Sequence, residues 1–221
     1  MLLISSRVHT LCALTEAITL LYKGENMNKL EFATVAVSKD ETRYNLTSVY
    51  RDTDHYVGTD GHRMHIAESS HIDKGMFVDG KNADFPTWQQ VIPKKSPVVS
   101  ATLNVNKELV ERLEALAKIG KSYGNPVYRL ELEDGHFKVI GEFGKLDSPM
   151  SIRDTVDCVT KGRYIDPSRG LNLNYLIDAL KCFLKFSKKG AQIEIEAYDD
   201  YAPWKFHFEP LGTAYISPCK M

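Results

Sequence analysis

The order of secondary-structure signals repeats in the C-terminal half of the chain, and this repeat constrains the fold more than any other feature. The first copy is a strand, a helix and three strands, at 102–105, 107–119, 127–133, 136–141 and 148–154. The second copy has the same order, at 171–173, 174–186, 191–197, 204–209 and 213–217. The sequence therefore predicts an α+β fold built from a repeated strand–helix–three-strand unit of about fifty residues.

Residues 28–68 resemble a further copy of this unit without its first strand. The predicted helix at 28–38 has as its apolar residues Leu30, Phe32, Ala33 and Val37. A partly alternating strand is predicted at 43–51, and a strand, a turn and a second strand at 55–68.

The turn inside 55–68 has the sequence Gly58-Thr59-Asp60-Gly61-His62-Arg63-Met64. The Asp60-Gly61 pair lets the backbone turn sharply, because glycine tolerates a positive φ. His62 and Arg63 carry hydrogen-bond donors, and Met64 adds a soft apolar side chain. The run is typical either of a polar hairpin tip or of a surface that binds an apolar, partly anionic partner.

A less regular region, 69–95, follows the turn and its second strand. It contains the string Phe85-Pro86-Thr87-Trp88-Gln89-Gln90-Val91-Ile92-Pro93. Because two prolines bracket Trp88, we predict an extended connector with an anchored aromatic side chain.

Composition excludes a general nucleic-acid affinity. The 221 residues suffice for one large or two small domains, and the formal net charge is −1. Contacts with nucleic acid would therefore depend on local patches. The cysteines form no CxxC pair, and their wide spacing favours reduced thiols and a cytoplasmic location: Cys12, Cys158, Cys182 and Cys219.

Residues 1–26 are predicted to be an N-terminal extension. The stretch 6–21 fits an amphipathic helix, and polar residues at Arg7, His9 and Glu16 argue against a signal peptide or a membrane span. Residues 23–26 read like a translated ribosome-binding site, so we expect the functional chain to begin near Met27. A genuine additional helix is the alternative.

An enzymatic interpretation has weak support. A metal-dependent nuclease or hydrolase could take its metal ligands from a group of histidines and aspartates: His55, His62, His65, His71, Asp54 and Asp60. However, His62 and His65 are three residues apart, which places them on opposite faces of a strand. The sequence has no HExxH, GxSxG or Walker motif. We therefore expect a protein that is not an enzyme and holds no metal or cofactor.

Four strings, in the same order, resemble the bacterial DNA polymerase III β subunit, the sliding clamp. They are 36–43 with Leu46, 59–64, 85–93 and 214–221. The second is similar to the family's Thr-Asp-Gly-His-Arg-Leu loop. The third resembles the connector Phe-Pro-Asp-Tyr-x-x-Val-Ile-Pro between the second and third domains, and the fourth the ending Ala-Tyr-Val-x-Met-Pro-Met-Arg-Leu. The resemblance covers roughly 27–221.

The resemblance implies the DNA-clamp fold in a truncated form. It divides the chain into an extension at 1–26, a partial clamp domain with its connector at 27–95, and a C-terminal clamp domain of two repeats at 96–221. No counterpart of the family's first domain is seen, and 69–84 has room for one strand at most. A ring of four copies with three units each and a non-ring protein both remain open.

In the family, the groove between the second and third domains binds a short peptide from polymerases and clamp loaders. The corresponding residues here are Leu46, Thr59, Gly61, His62, Arg63, Met64, Pro93, Ile216, Pro218, Cys219 and Lys220. An apolar floor, where each buried peptide side chain is worth roughly 1.5–3 kcal/mol, would be supplied by Leu46, Met64, Pro93 and Ile216. Ser217 and Cys219 replace two methionines of the family ending, which predicts an altered peptide preference. The alternative is that these residues only close a seam between domains.

Clamp helices also line a channel and touch DNA phosphates. Lys181, Lys185 and Lys188 form a stripe on the last helix, and further contacts are expected from Lys39, Arg43 and Tyr44. A solvated helix face is the alternative for this stripe.

The resemblance thus predicts a sliding-clamp-like processivity factor of DNA replication. Its partners would be peptide motifs of a DNA polymerase or clamp loader, double-stranded DNA without sequence specificity, and further copies of itself, with no membrane contact. The alternative is a clamp-like interaction module or decoy that binds replication proteins without encircling DNA.

Overall fold

The structure is a computed structural model that describes residues 27–51, 54–69, 85–143, 150–164, 166, 169–187, 191–199 and 201–220. The helix predicted at 6–21 and most of the irregular region after the turn lie outside the described residues.

Three helices lie in the described parts of the chain: α1 (27–34), α2 (Lys107–Ser122) and α3 (Leu173–Phe186). An asparagine caps the start of both long helices. The side chain of Asn106 accepts a hydrogen bond from the N–H of Leu109, and that of Asn172 accepts one from Asn174. The predictions for α2 and α3 are confirmed, and α1 is shorter than predicted.

The strands of the described residues form one continuous sheet. They are β1 (Tyr50–Arg51), β2 (His55–Thr59), β3 (Arg63–Glu68), β4 (Val99–Val105), β5 (Val127–Glu133), β6 (His136–Phe143), β7 (Met150–Gly162), β8 (Arg169–Asn172), β9 (Ala191–Ala197), β10 (Trp204–Phe208), β11 (Gly212–Ile216) and β12 (Cys219–Lys220). Antiparallel neighbours follow the order β1-β2-β3-β11-β10-β9-β4-β7-β6-β5-β8-β12.

The predicted repeat is present as two interlocked units, β4-α2-β5-β6-β7 and β8-α3-β9-β10-β11. The first strand of each unit pairs with the second strand of the other, so β4 pairs with β9 and β8 pairs with β5. The helices bury their apolar stripes against one face of the sheet, where Leu113, Phe183 and Phe206 belong to one core. Neither unit could bury this face alone.

The partial N-terminal unit continues the same sheet. Strand β3 pairs with β11, with Met64 opposite Tyr215. Helix α1 packs against β2 so closely that a Cβ atom at Gly58 would lie 1.9 Å from the carbonyl oxygen of Ala33. The segment 27–69 is therefore bonded to the last strands of the second unit.

The strand predicted at 43–51 is wrong for most of its length. Residues Tyr44–Leu46 form a 3₁₀ turn, and only the two residues of β1 are extended. The Asp40 carboxylate accepts hydrogen bonds from the N–H and the hydroxyl of Thr42, and this local turn competes with strand pairing.

Several other strands differ from the predicted bounds, and β4 begins three residues earlier than predicted. Strand β7 begins two residues later than predicted and runs on to Gly162, and β12 was not predicted. The side chains of β7 alternate between half-buried and exposed, and none of them is fully buried. None of the described helices is long and apolar enough to cross a membrane.

Candidate functional site

The turn between β2 and β3 is built around Asp60. Its Oδ1 atom accepts hydrogen bonds from the N–H groups of His62, at 2.9 Å, and Arg63, at 3.0 Å. Gly61 has a φ of +87°, as the Asp-Gly pair predicted. The Thr59 hydroxyl donates to the carbonyl of Arg63 at 2.7 Å, which closes the turn. The side chain of His62 is left exposed at the tip.

Arg63 points into the protein rather than out of the turn. Its side chain is 6% exposed, and its Nε and Nη1 atoms lie 3.2 Å from Asp60 Oδ2 and 2.8 Å from Asp178 Oδ2. The guanidinium also lies 4.5 Å from the centre of the Tyr175 ring. Arg63 therefore holds the turn on α3. Donation to a ligand from its remaining N–H groups stays a prediction.

Tyr175 and Asp178 belong to this arrangement but were not predicted. They lie three residues apart on α3, a spacing that places both on one helix face. Burial, together with the Asp60 carboxylate, raises the pKa of the Tyr175 phenol, whereas Arg63 and a hydrogen bond from Asn172 oppose that shift. Their i, i+3 spacing on a predicted helix could have indicated that an aromatic and an acidic side chain share one helix face.

The C-terminal segment lies directly beside the turn. The N–H of Ser217 donates to the carbonyl of His62 at 2.9 Å, next to the paired residues Arg63 and Ile216. Pro218 and Cys219 are half-buried, and Lys220 is exposed. The turn and the C-terminal segment are thus neighbours in the structure, and backbone hydrogen bonds join them directly.

The connector is anchored by its aromatic residue, as predicted, but Trp88–Gln90 form a 3₁₀ turn where an extended chain was predicted. Trp88 is buried in a second core cluster with Val57, Met64, Ile66 and Tyr215, and the neighbouring Ile92 packs against it. The Trp88 indole also lies 5.3 Å from the His55 ring, centre to centre. Pro93 follows this cluster and is half-buried.

The residues near Leu46 are also tied to the turn. Nη1 of Arg43 donates to the carbonyl of Asp60 at 2.7 Å. Leu46 itself is half-buried, and its carbonyl accepts a hydrogen bond from the N–H of Ser38 at 2.8 Å. The structure therefore brings together three of the predicted segments around one turn.

Burial divides the predicted groove residues into three groups. Gly61, His62 and Lys220 are exposed, whereas four are half-buried: Leu46, Pro93, Pro218 and Cys219. The remaining four are buried: Thr59, Arg63, Met64 and Ile216. Met64 packs with Trp88 and Tyr215, whereas Ile216 belongs to the core beneath the helices, so these two side chains lie on opposite faces of the sheet and do not share one apolar floor.

A cavity of about 440 Å³ lies beside the cluster around Trp88. Its walls include Trp88, Ile66, Leu211, His55 and His207, and none of the predicted groove residues lines it. No group of three or more His, Cys, Asp or Glu side chains suited to a metal ion occurs among the described residues.

The lysine stripe on α3 is paired with acidic residues of the flanking helices. Lys181 forms an ion pair with Glu114 of α2, and Lys185 forms one with Glu31 of α1, at 2.5 Å. Lys188 lies outside the described residues. Lys39, Arg43 and Tyr44 are exposed around the 3₁₀ turn, with Tyr44 57% exposed. The helix layer therefore shows mixed charge where a continuous basic stripe was predicted.

The histidines do not form a shared site among the described residues. His65 is fully buried, and its Nδ1 donates to the carbonyl of Phe32 at 2.8 Å while its ring stacks on Phe32 at 4.5 Å. Burial lowers the pKa of His65 to about 3, so the ring is neutral near pH 7. His62 lies on the exposed turn, which agrees with the expectation that the two are separated.

Solved structures of sliding clamps share this fold. The DNA polymerase III β subunit of Thermotoga maritima has 17% identical residues and a TM-score of 0.69, over 88% of this chain and 63% of that one. The β subunit of Borrelia burgdorferi, solved with a natural product, has 19% identity and a TM-score of 0.68, over 89% and 62%. The Bartonella birtlesii clamp bound to griselimycin has 18% identity and a TM-score of 0.64, over 88% and 64%.

These likenesses show that the chain has the sliding-clamp fold, as the sequence predicted. The chain spans about 63% of the length of the solved clamp chains. No family model and no curated protein sequence matches it.

Proposed function

We propose that this chain is a sliding-clamp-like replication protein that binds a short peptide motif of a DNA polymerase or clamp loader. The observation that carries this proposal is the hydrogen bond between Ser217 and His62, which joins the turn to the C-terminal segment. Around it, α3 supports the turn through Asp178, which binds Arg63, and Arg43 supports it by donating to the carbonyl of Asp60. The proposal also draws on the fold shared with solved clamps.

The exposed part of this surface suits an extended peptide. His62 and Lys220 provide donors for peptide carbonyls or for the amide of a glutamine. The half-buried Leu46, Pro93 and Pro218 provide apolar area, and one buried peptide side chain contributes roughly 1.5–3 kcal/mol. Met64 and Ile216 are both buried, so a ligand would reach either side chain only by displacing the residues that cover it.

A labelled peptide of the type Gln-Leu-x-Leu-Phe tests the proposal by fluorescence anisotropy. We expect saturable binding that weakens about tenfold in His62→Ala, since the exposed histidine loses a donor without a loss of core packing. The matched control is His136→Ala, a half-buried histidine on β6 away from the turn. No binding to the unaltered chain, or equal affinity in both variants, would contradict the peptide site.

The broader role that we propose is that of a processivity factor that encircles double-stranded DNA. The three helices share one sheet face, as in a channel lining, and Lys39, Arg43 and Tyr44 add exposed groups beside them. Retention on closed circular DNA and release after linearisation is the expected result of a sedimentation assay. Equal retention on both forms, or none, would favour the alternative of an interaction module that binds replication proteins without a ring.

A further inference from the structure

The cavity of about 440 Å³ beside Trp88 takes no part in the peptide site proposed above. Its walls include Ile66 and Tyr215, which pack with Trp88 in the second core cluster, whereas the apolar side chains of α2 and α3 belong to the first. The cavity therefore lies on the sheet face that is turned away from α2 and α3. Cavities of about 300–1,000 Å³ are the usual size of sites for small ligands.

The cavity is at the end of β2 and β3 that is remote from the turn. His55, the first residue of β2, pairs with Glu68, the last residue of β3, and both line the cavity. Thr59, where the turn begins, lies four positions after His55. This spacing corresponds to roughly 13 Å along an extended strand. A small ligand in the cavity would therefore leave the proposed peptide surface free.

The floor of the cavity is apolar and suits an aromatic ring. Four of the residues that line it are buried: Ile66, Trp88, Leu211 and Tyr215. Ile92 of the connector is half-buried and completes this floor. A ring that enters the cavity would lose its hydrated apolar surface to these side chains, which is the main driving force for the binding of apolar groups. Two of the walls are aromatic, so the ring can also pack against other rings.

Two exposed carboxylates line the same cavity, those of Glu68 and Glu209. Glu68 forms no ion pair or side-chain hydrogen bond among the described residues. The Oε2 atom of Glu209 lies 3.3 Å from Nε2 of His207, whose Nδ1 lies 3.0 Å from the Thr213 hydroxyl. Lys29, near the start of α1, is the one lysine or arginine in the described part of the wall, so the carboxylates outnumber it two to one.

The buried floor and the exposed carboxylates together define the chemistry of the ligand. We propose that the cavity binds a small organic cation of the arylalkylamine class, in which an aromatic ring carries an amino group on a short chain. The ring would lie on the floor beside Trp88, and the ammonium group would lie at the rim formed by Glu68 and Glu209. An aromatic acid of the same size would meet two like charges there, which lowers its affinity.

The test is a titration of the full-length chain with phenethylamine, followed by the indole N–H signals in proton–nitrogen correlation NMR spectra. The chain has two tryptophans, so the signal of Trp88 has only that of Trp204, in the first core cluster, beside it. We expect phenethylamine to shift the Trp88 signal in a saturable manner and to leave the Trp204 signal in place. Phenylpropanoate, which replaces the ammonium group by a carboxylate, should bind at least about tenfold more weakly.

Variants at the rim test the role of charge. Glu68→Gln should weaken phenethylamine binding about fivefold and Lys29→Gln should strengthen it by a similar factor, because the two changes shift the rim charge in opposite directions. Glu108→Gln makes the same change as Glu68→Gln on an exposed position of α2 and is the control.

Three results would overturn the proposal: no saturable shift of the Trp88 signal, equal affinity for the amine and the carboxylate, or rim variants that bind like the control. Circular dichroism checks that each variant is folded, and if one rim variant unfolds the other still provides the test. Failure here is distinguishable from failure of the peptide site, because the labelled peptide and His62→Ala report on the opposite end of β2 and β3.

Discussion

Nη1 of Arg63 lies 2.8 Å from Oδ2 of Asp178, a residue 115 positions later in the chain. The contact joins the turn between β2 and β3 to the middle of α3. Because the Arg63 side chain is only 6% exposed, its charge depends on Asp178 and Asp60 for compensation. The conformation of the exposed turn is therefore set partly by a helix of the second unit.

Asp178→Asn is expected to destabilise the chain by about 1–2 kcal/mol. The variant removes one of two carboxylates around the buried guanidinium, while Asp60 and the 46% exposure of Asp178 limit the loss. Urea denaturation measures the change, and affinity for the peptide should fall with it. Glu41→Gln, at an exposed position, is the control. Equal stability in the two variants would show that the Arg63 contact contributes nothing.

Stability should fall as the pH decreases from about 6.5 toward 3, in part because of His65. Burial lowers the pKa of His65 to about 3 in the folded chain, so only the unfolded chain takes up the proton across this range. The full effect is roughly 3–5 kcal/mol. His65→Asn keeps a donor toward Phe32 but cannot be protonated, so its urea midpoint should vary less with pH. His136→Asn should retain the dependence of the unaltered chain, and the same slope in both variants would contradict this account.

Gly58→Ala should displace α1 from the sheet. The added Cβ would lie 1.9 Å from the carbonyl oxygen of Ala33, and backbone atoms cannot move aside as a flexible side chain can. We expect a loss of at least about 2 kcal/mol and faster amide exchange in α1. Gly124→Ala is a useful comparison, because its site has open space and a φ of +70°, so that only backbone strain of about 1 kcal/mol is expected. A larger loss at Gly124 would refute the close contact.

Glu114→Gln should strengthen DNA binding if the helices face DNA. Its ion pair with Lys181 lowers the pKa of the Glu114 carboxyl, so this side chain is charged near neutral pH and competes with phosphate for the lysine. The variant should bind a DNA duplex more tightly with a steeper dependence on salt, and Lys181→Gln should bind more weakly. Glu194→Gln makes the same charge change on an exposed strand position and serves as the control. If all three variants bind DNA with the same affinity, DNA does not contact this helix surface.

The repeat could be predicted because its signals are local. Strands β5 and β9 have the predicted bounds, since alternating side chains and flanking turns mark them within a few residues. The 43–51 region failed because its apolar residues suggested a strand, whereas Asp40 and Thr42 form a turn through side-chain bonds. The pattern of apolar and polar residues alone does not show whether the strand or the side-chain-bonded turn is more stable.

The candidate site was predicted in outline, but its internal contacts were not. The Asp60-Gly61 pair correctly indicated a tight turn, and the likeness to clamp strings placed the last strand beside it. Sequence reasoning could not show that Arg63 turns inward, because that direction depends on Asp178 and Tyr175 of a distant helix. The pairing of Lys181 with Glu114 was missed for the same reason, since the two residues belong to different repeats.

The pairing of β3 with β11 has a consequence for how the chain is made. During synthesis, the turn that begins at Thr59 leaves the ribosome long before Ile216 and Ser217 are translated. Yet Ile216 pairs with β3, and the N–H of Ser217 donates to the carbonyl of His62 in the turn. Until then β3 has an unpaired edge, and contacts of such long sequence separation form slowly. The nascent chain therefore carries its proposed recognition element in an unfinished state, exposed to chaperones and to aggregation, until nearly all of the described residues have emerged.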